Sequence, residues 1–143
     1  MIFVEDNSDN KALTLRVSGK SSVAHTIKVV SDGDAAIEYI HSLAASSANP
    51  LSAHLSSTDL KLPKLSGHEM IREFRVITNA AHIPIVVLTT SNDEGDIRTA
   101  YKCGVNSYTR KPVDFKILQN LFDVLRVYWL HFSKRTQILH YGF

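Results

Sequence analysis

Only one cysteine, Cys103, occurs in 143 residues. No disulfide can close within the chain, and a reducing compartment is implied. No apolar run approaches 18 residues, which argues against a transmembrane helix. The start lacks the basic residues and long apolar stretch of a signal peptide. Met1 leads straight into Ile2-Phe3-Val4 and an acidic pair, so a cytoplasmic protein is expected. Neither charge sign dominates: 16 Lys and Arg face 14 Asp and Glu, for a net charge of +2. The basic residues are scattered rather than striped, which argues against nucleic acid as the partner. No internal repeat or dividing linker is visible. The 44% of apolar residues suffices for the core of one domain.

Strand-like and helix-like segments alternate. Residues 2–4 form a short apolar run ending at Glu5. Residues 9–17 read as either element, and helix is favoured because strands lie on both sides, with Asp9 as a possible cap. Residues 26–30 read as a second strand, stopped by Ser31-Asp32-Gly33. Residues 35–43 place Ala36, Ile37, Ile40 and Leu43 on one helix face. A loop of small residues, 45–52, precedes a third strand ending at Thr58. Residues 67–79 read as a helix through Met70, Ile71, Phe74 and Ile77. Residues 83–88 are continuously apolar, as in a strand covered on both faces, with Pro84 near its start. A helix over 93–102 is closed by Gly104. A fifth strand, 105–109, follows, and Asp114 caps a last helix running to about Phe132. The expected organisation is one domain over 1–132 and a tail over 133–143. Five strands alternating with five helices predict an α/β fold: a five-stranded parallel sheet with helices on both faces.

In such sheets ligands bind beyond the carboxyl ends of the strands. Glu5, Asp6, Asp59, Thr89 and Lys111 all fall at or just past strand ends. Crowded carboxylates repel one another, and a divalent cation relieves that repulsion. Mg²⁺ takes oxygen ligands and keeps several waters. Asp6 and Asp59 can supply two oxygens and the Lys61 backbone carbonyl a third, with Glu5 acting through water. Asp59 is then a nucleophile in line with a phosphoryl group. Lys111 is a compact cation for one phosphoryl oxygen, and Thr89 offers a hydroxyl to another. Singly, each feature has a plain explanation as a turn or a strand former. Four coincidences at matching strand ends do not.

Other patterns fail. Gly19-Lys20-Ser21 would need a glycine at position 14 to be a phosphate loop, and Thr14 stands there. His68-Glu69 begins a zinc-protease pattern, but position 72 is Arg72. The seven histidines are dispersed. Cys103 reads as a small core residue.

The residues resemble the receiver domain of two-component response regulators over nearly the whole chain. The matching pieces are Val4-Glu5-Asp6-Asn7, Asp59 through Gly67, Pro84 through Thr90, Gly104 through Tyr108 and Lys111 through Phe115. The chain looks most similar to the small stand-alone regulators associated with bacterial phytochromes, which share the Leu-Thr-Thr-Ser stretch and a late Tyr-Trp-Leu. The resemblance implies a flavodoxin-like strand order 2-1-3-4-5 and phosphate transfer to Asp59 from a sensor histidine kinase, with a phytochrome-type photoreceptor as a candidate. It implies Mg²⁺ on Glu5 and Asp6, and Lys111 on the phosphoryl group before a usually cis peptide to Pro112. It also implies a switch through Thr89 and Tyr108. Three departures stand out. The first strand is short, Ser56-Ser57-Thr58 replaces an aliphatic run, and Ser66 stands where an acidic residue is frequent.

The last helix is apolar on too many sides. Phe115, Leu118, Leu121, Phe122 and Leu125 suffice to dock it. Val124, Val127, Tyr128, Trp129, Leu130 and Phe132 exceed one face, which predicts a homodimer contact through this helix. The expected role is signalling by protein–protein contact, not enzymatic turnover, with no room after the last helix for a DNA-binding domain. A degenerate receiver that binds partners without phosphorylation is the alternative. A phosphohydrolase forming an aspartyl-phosphate would need a carboxylate where Lys61 stands.

Overall fold

The computed structural model describes residues 1–18, 27–45, 56–77, 80–81 and 83–133. Expectations for Thr26, most of the loop over 45–52, the start of the third strand, Asn79 and the tail beyond residue 133 lie outside these residues. The elements alternate: β1 (Ile2–Val4), α1 (Ser8–Ser18), β2 (Lys28–Val30), α2 (Gly33–Ala45), β3 (Ser56–Thr58), α3 (Gly67–Val76), β4 (Ile85–Thr89), α4 (Glu94–Cys103), β5 (Ser107–Arg110) and α5 (Phe115–Arg126). A π-helical segment, Val127–Phe132, prolongs α5.

The strands form one parallel sheet in the order β2-β1-β3-β4-β5. Strand side chains alternate between faces. Ile2 and Val4 of β1, with Ile85 and Val87 of β4, pack against α2, α3 and α4 through Ile40, Met70, Ile71, Phe74 and Ala100. Phe3, Val86 and Leu88 point the other way, onto Leu118, Phe122 and Leu125 of α5. Leu13 of α1 joins that second cluster. The central strands are therefore buried on both sides, as their continuous apolar runs require.

Caps set the helix ends. Asn7, not Asp9, caps α1: its Oδ1 accepts the Asp9 and Asn10 N–H groups. Asn7 thus offers the first turn an acceptor that Asp9, already helical, does not. Ser66, at one of the family departures, forms a capping box with Glu69 at the start of α3. The Ser66 N–H and hydroxyl hold the Glu69 carboxyl below the ordinary carboxylate range. Asp93 caps α4 and Asp114 caps α5. Gly104 ends α4 in the left-handed region at φ 105°, where a Cβ is unfavourable. β4 begins at Ile85, after Pro84 rather than through it, so the missing proline N–H breaks no ladder bond.

Thr58, at the end of the hydroxyl-rich third strand, is fully buried. Its Oγ1 donates to the Asp59 carbonyl at 2.9 Å, so this buried hydroxyl has a partner. On α5, Leu118, Phe122 and Leu125 are buried, and Phe115, Leu121, Trp129 and Leu130 pack at their edge. Part of the apolar excess therefore belongs to the domain's own core. Ile117, Val124, Tyr128 and Phe132 remain exposed. Arg126, which the sequence pattern does not single out, is buried and paired with Asp123.

Candidate functional site

The parallel registers bring all five strand ends to one edge. Val4 is level with both Val30 and Thr58, Thr58 with Val87, and Thr89 with Arg110. Backbone bonds extend this alignment one residue past β1, β3 and β5. Glu5 donates to the Val30 carbonyl, Asp59 to the Val4 carbonyl and Lys111 to the Thr89 carbonyl. Glu5, Asp59, Thr89 and Lys111 are thus placed by the sheet itself.

Lys111 joins two carboxylates. Its Nζ lies 2.8 Å from Glu5 Oε2 and 3.7 Å from Asp59 Oδ2. The side chains retain only 12% (Lys111), 2% (Glu5) and 13% (Asp59) of their exposure. Little water screens this triad, so its attractions exceed those of surface pairs. The two Asp59 oxygens differ. Oδ1 accepts the Leu60 N–H at 2.6 Å and the Lys61 N–H at 3.2 Å. Oδ2 faces Lys111. The chain turns sharply after Asp59, passing Lys64 at φ 64°. It returns at Gly67, whose N–H donates to the Leu60 carbonyl at 3.0 Å. A Cβ on Gly67 would lie 2.6 Å from the Asp59 carbonyl oxygen and from Leu60 Cα. Glycine is required there by close approach.

Both Glu5 oxygens are engaged by protein, Oε2 by Lys111 and Oε1 by the Asn7 N–H at 3.2 Å. Asp6 is exposed, and its carboxylate makes no hydrogen bond or ion pair among the described residues. No cluster of three His, Cys, Asp or Glu suited to a metal occurs among the described residues. The oxygens expected to hold a cation, those of Asp6 and Asp59 with the Lys61 carbonyl, make an oxygen-only and incomplete set. Such a set fits Mg²⁺, which retains waters, and fits zinc poorly.

Thr89 is fully buried, and its Oγ1 accepts the Ser91 N–H at 3.3 Å. Tyr108 is half-buried, and its hydroxyl donates to the Ser91 carbonyl at 3.1 Å. Burial pushes the Tyr108 phenol above its ordinary pKa. The Ser91 hydrogen bond opposes this, and the charges of Asp96, Asp93 and Asp59 add to it. Ser91 thus links Thr89 and Tyr108. In the sequence it is the last residue of the Leu-Thr-Thr-Ser stretch, two residues after Thr89, and nothing local marks its partners. The expected cis peptide is not found: the Lys111–Pro112 bond is trans, as are the other described peptide bonds.

Comparison with known proteins points the same way. The family model described as response regulator receiver domain matches residues 1–123. A probable methanogenesis regulatory protein, FilR2 of Methanothrix harundinacea, is 34% identical over 134 residues, covering 94% of this chain and 85% of that protein. Response regulator Rcp1 of Synechocystis is 31% identical over 130 residues, 91% of this chain and 88% of its own length. Its Mn²⁺-bound crystal structure superposes with a TM-score of 0.79 at 29% identity, covering 95% and 97% of the two chains. The phosphorylated cyanobacterial phytochrome response regulator RcpA gives 0.81 at 32% identity over 93% and 95%.

Proposed function

Because the chain belongs to the response regulator receiver domain family, a family of phosphorylation-dependent signalling modules, we propose that Asp59 is its phosphoacceptor. One observation carries the reading: Asp59 presents Oδ2 toward Lys111 while two backbone N–H groups hold Oδ1. The held oxygen orients the carboxylate, and the other is the nucleophile. Oδ2 attacks phosphorus, the bond to the donor imidazole of a histidine kinase breaks, and the imidazole leaves with a proton from solvent. Lys111 neutralises a phosphoryl oxygen. Thr89 keeps its hydroxyl proton to donate, because it accepts rather than donates at Ser91. Asp6, Asp59 and the Lys61 carbonyl would hold Mg²⁺, with Glu5 acting through water in competition with Lys111. The ion supplies charge neutralisation on the transferring group.

The same reading makes Tyr108 the partner of Thr89 in a surface switch. Moving such a switch from mostly off to mostly on takes about 5 kcal/mol of preference between the two states. The receiver domain is assigned to residues 1–132 and a tail to 133–143. The kinase partner is of phytochrome type, as the likeness to RcpA suggests. A homodimer forms through the exposed residues Ile117 and Val124 of α5 and Tyr128 and Phe132 of its π-helical extension. Location is cytoplasmic and nucleic acid is no partner. No helix among the described residues is long and apolar enough to cross a membrane. A phosphohydrolase is disfavoured because exposed Lys61 stands where its acid–base carboxylate is needed.

Incubation with Mg²⁺ and acetyl phosphate, followed by intact mass, tests the proposal. One added phosphate that is lost in Asp59→Asn and in chelator is the expected result. An unmodified wild-type protein under these conditions would instead support the phosphorylation-independent receiver.

A further inference from the structure

We propose that Ser91, anchored by Asp96, is a positioning residue that couples the Thr89–Tyr108 switch to the first turn of α4. This rests on the receiver reading and names a part of its switch that Thr89 and Tyr108 alone do not supply. Ser91 makes four hydrogen bonds to three parts of the fold. Its N–H goes to Thr89 Oγ1, and its carbonyl receives the Tyr108 hydroxyl. Its own hydroxyl donates to Asp96 Oδ2 at 2.6 Å and accepts the Asp93 N–H at 3.3 Å.

The bond to Asp96 is short and charge-assisted, the strong kind. Asp96 and Asp93 are themselves the start of α4. Asp93 caps the helix through the Asp96 N–H at 3.0 Å and accepts the Ile97 N–H on its carbonyl. On its far side, the Asp96 carbonyl lies 3.3 Å from His68 Nε2 of α3. A pull on Thr89 toward Asp59 is a pull on the Ser91 N–H. Since Ser91 is pinned by its side chain to the α4 cap and by its carbonyl to Tyr108, its backbone cannot move without both. The side-chain hydroxyl therefore decides whether α4 follows the switch or is left behind.

Hydrogen exchange at the Asp96 and Ile97 amides, with and without saturating Mg²⁺ and beryllofluoride as phosphoryl analogue, reads this coupling. Wild type is expected to change exchange at both amides on binding the analogue. In Ser91→Ala, basal exchange there rises about tenfold, the loss expected for one hydrogen bond to a charged group, and the analogue-induced change disappears. Ser91→Thr, which keeps the hydroxyl, restores it. Should Ser91→Ala fail to fold or to bind the analogue, Asp96→Asn decides, because it leaves the Thr89–Ser91 contact in place. An analogue-induced change in both variants equal to wild type overturns the inference and leaves the receiver reading standing. Failure of wild type to bind the analogue removes both.

Discussion

Replacing Lys111 by methionine keeps most of the side chain's length and apolar stem and removes the cation that Glu5 and Asp59 share. At an effective dielectric of about 20, the 2.8 Å and 3.7 Å separations give attractions of about 6 and about 4.5 kcal/mol. Much of this is offset by the desolvation of three charges. The loss on removing one partner is set instead by what remains. Glu5, 2% exposed, keeps the Asn7 N–H on Oε1 and loses the partner of Oε2. Breaking buried pairs in this way typically costs about 3–5 kcal/mol, and the residual exposure of Lys111 and Asp59 places this case near 3. In a domain of this size that lowers Tm by roughly 6–12 °C. Urea denaturation followed through Trp129, the chain's single tryptophan, measures it. Glu5→Gln in the Lys111→Met background should recover at least about 1 kcal/mol, because the orphaned charge is gone. A Lys111→Met variant within about 0.5 kcal/mol of wild type would mean that the triad is effectively solvated, and the electrostatic account of the site would fall.

Three further outcomes are expected. Gly67→Ala drives a methyl into the backbone of residues 59–60 and should cost at least about 2 kcal/mol in denaturant, with slower labelling of Asp59. Wild-type stability would show that α3 does not abut that turn. Tyr108 should ionise above the ordinary tyrosine value, and Tyr108→Phe should remove a late step from the absorbance titration. The sign follows from a folded value raised above the unfolded one. The neutral phenol's contribution is complete below about 10 and is lost as pH rises through Tyr108's own value. A Tyr108 titrating at or below that ordinary value contradicts its burial. Val124→Asp, at a position 64% exposed, should leave the monomer's stability within about 0.5 kcal/mol and shift sedimentation from dimer to monomer. A wild-type chain that sediments as a monomer at high concentration, with and without beryllofluoride, would remove the proposed dimer.

Local rules made much of the chain legible. The apolar runs of β1 and β4, the Asp114 cap and the glycine closing α4 are each decided within a turn or two of chain. The capping box is equally local, a serine three residues before Glu69, at the position where the family frequently has an acidic residue. The placement of Glu5, Asp59, Thr89 and Lys111 at strand ends was also readable, since in a parallel sheet every strand ends at the same edge. Tertiary structure decided who pairs with whom. Lys111 meets Glu5 across 106 positions of sequence, Ser91 gathers Thr89, Tyr108 and Asp96, and Arg126 is buried beside Asp123. Caps and periodicity depend on neighbours a few residues away, whereas a side-chain pair depends on strand register and helix packing. Those are properties of the whole chain folded at once.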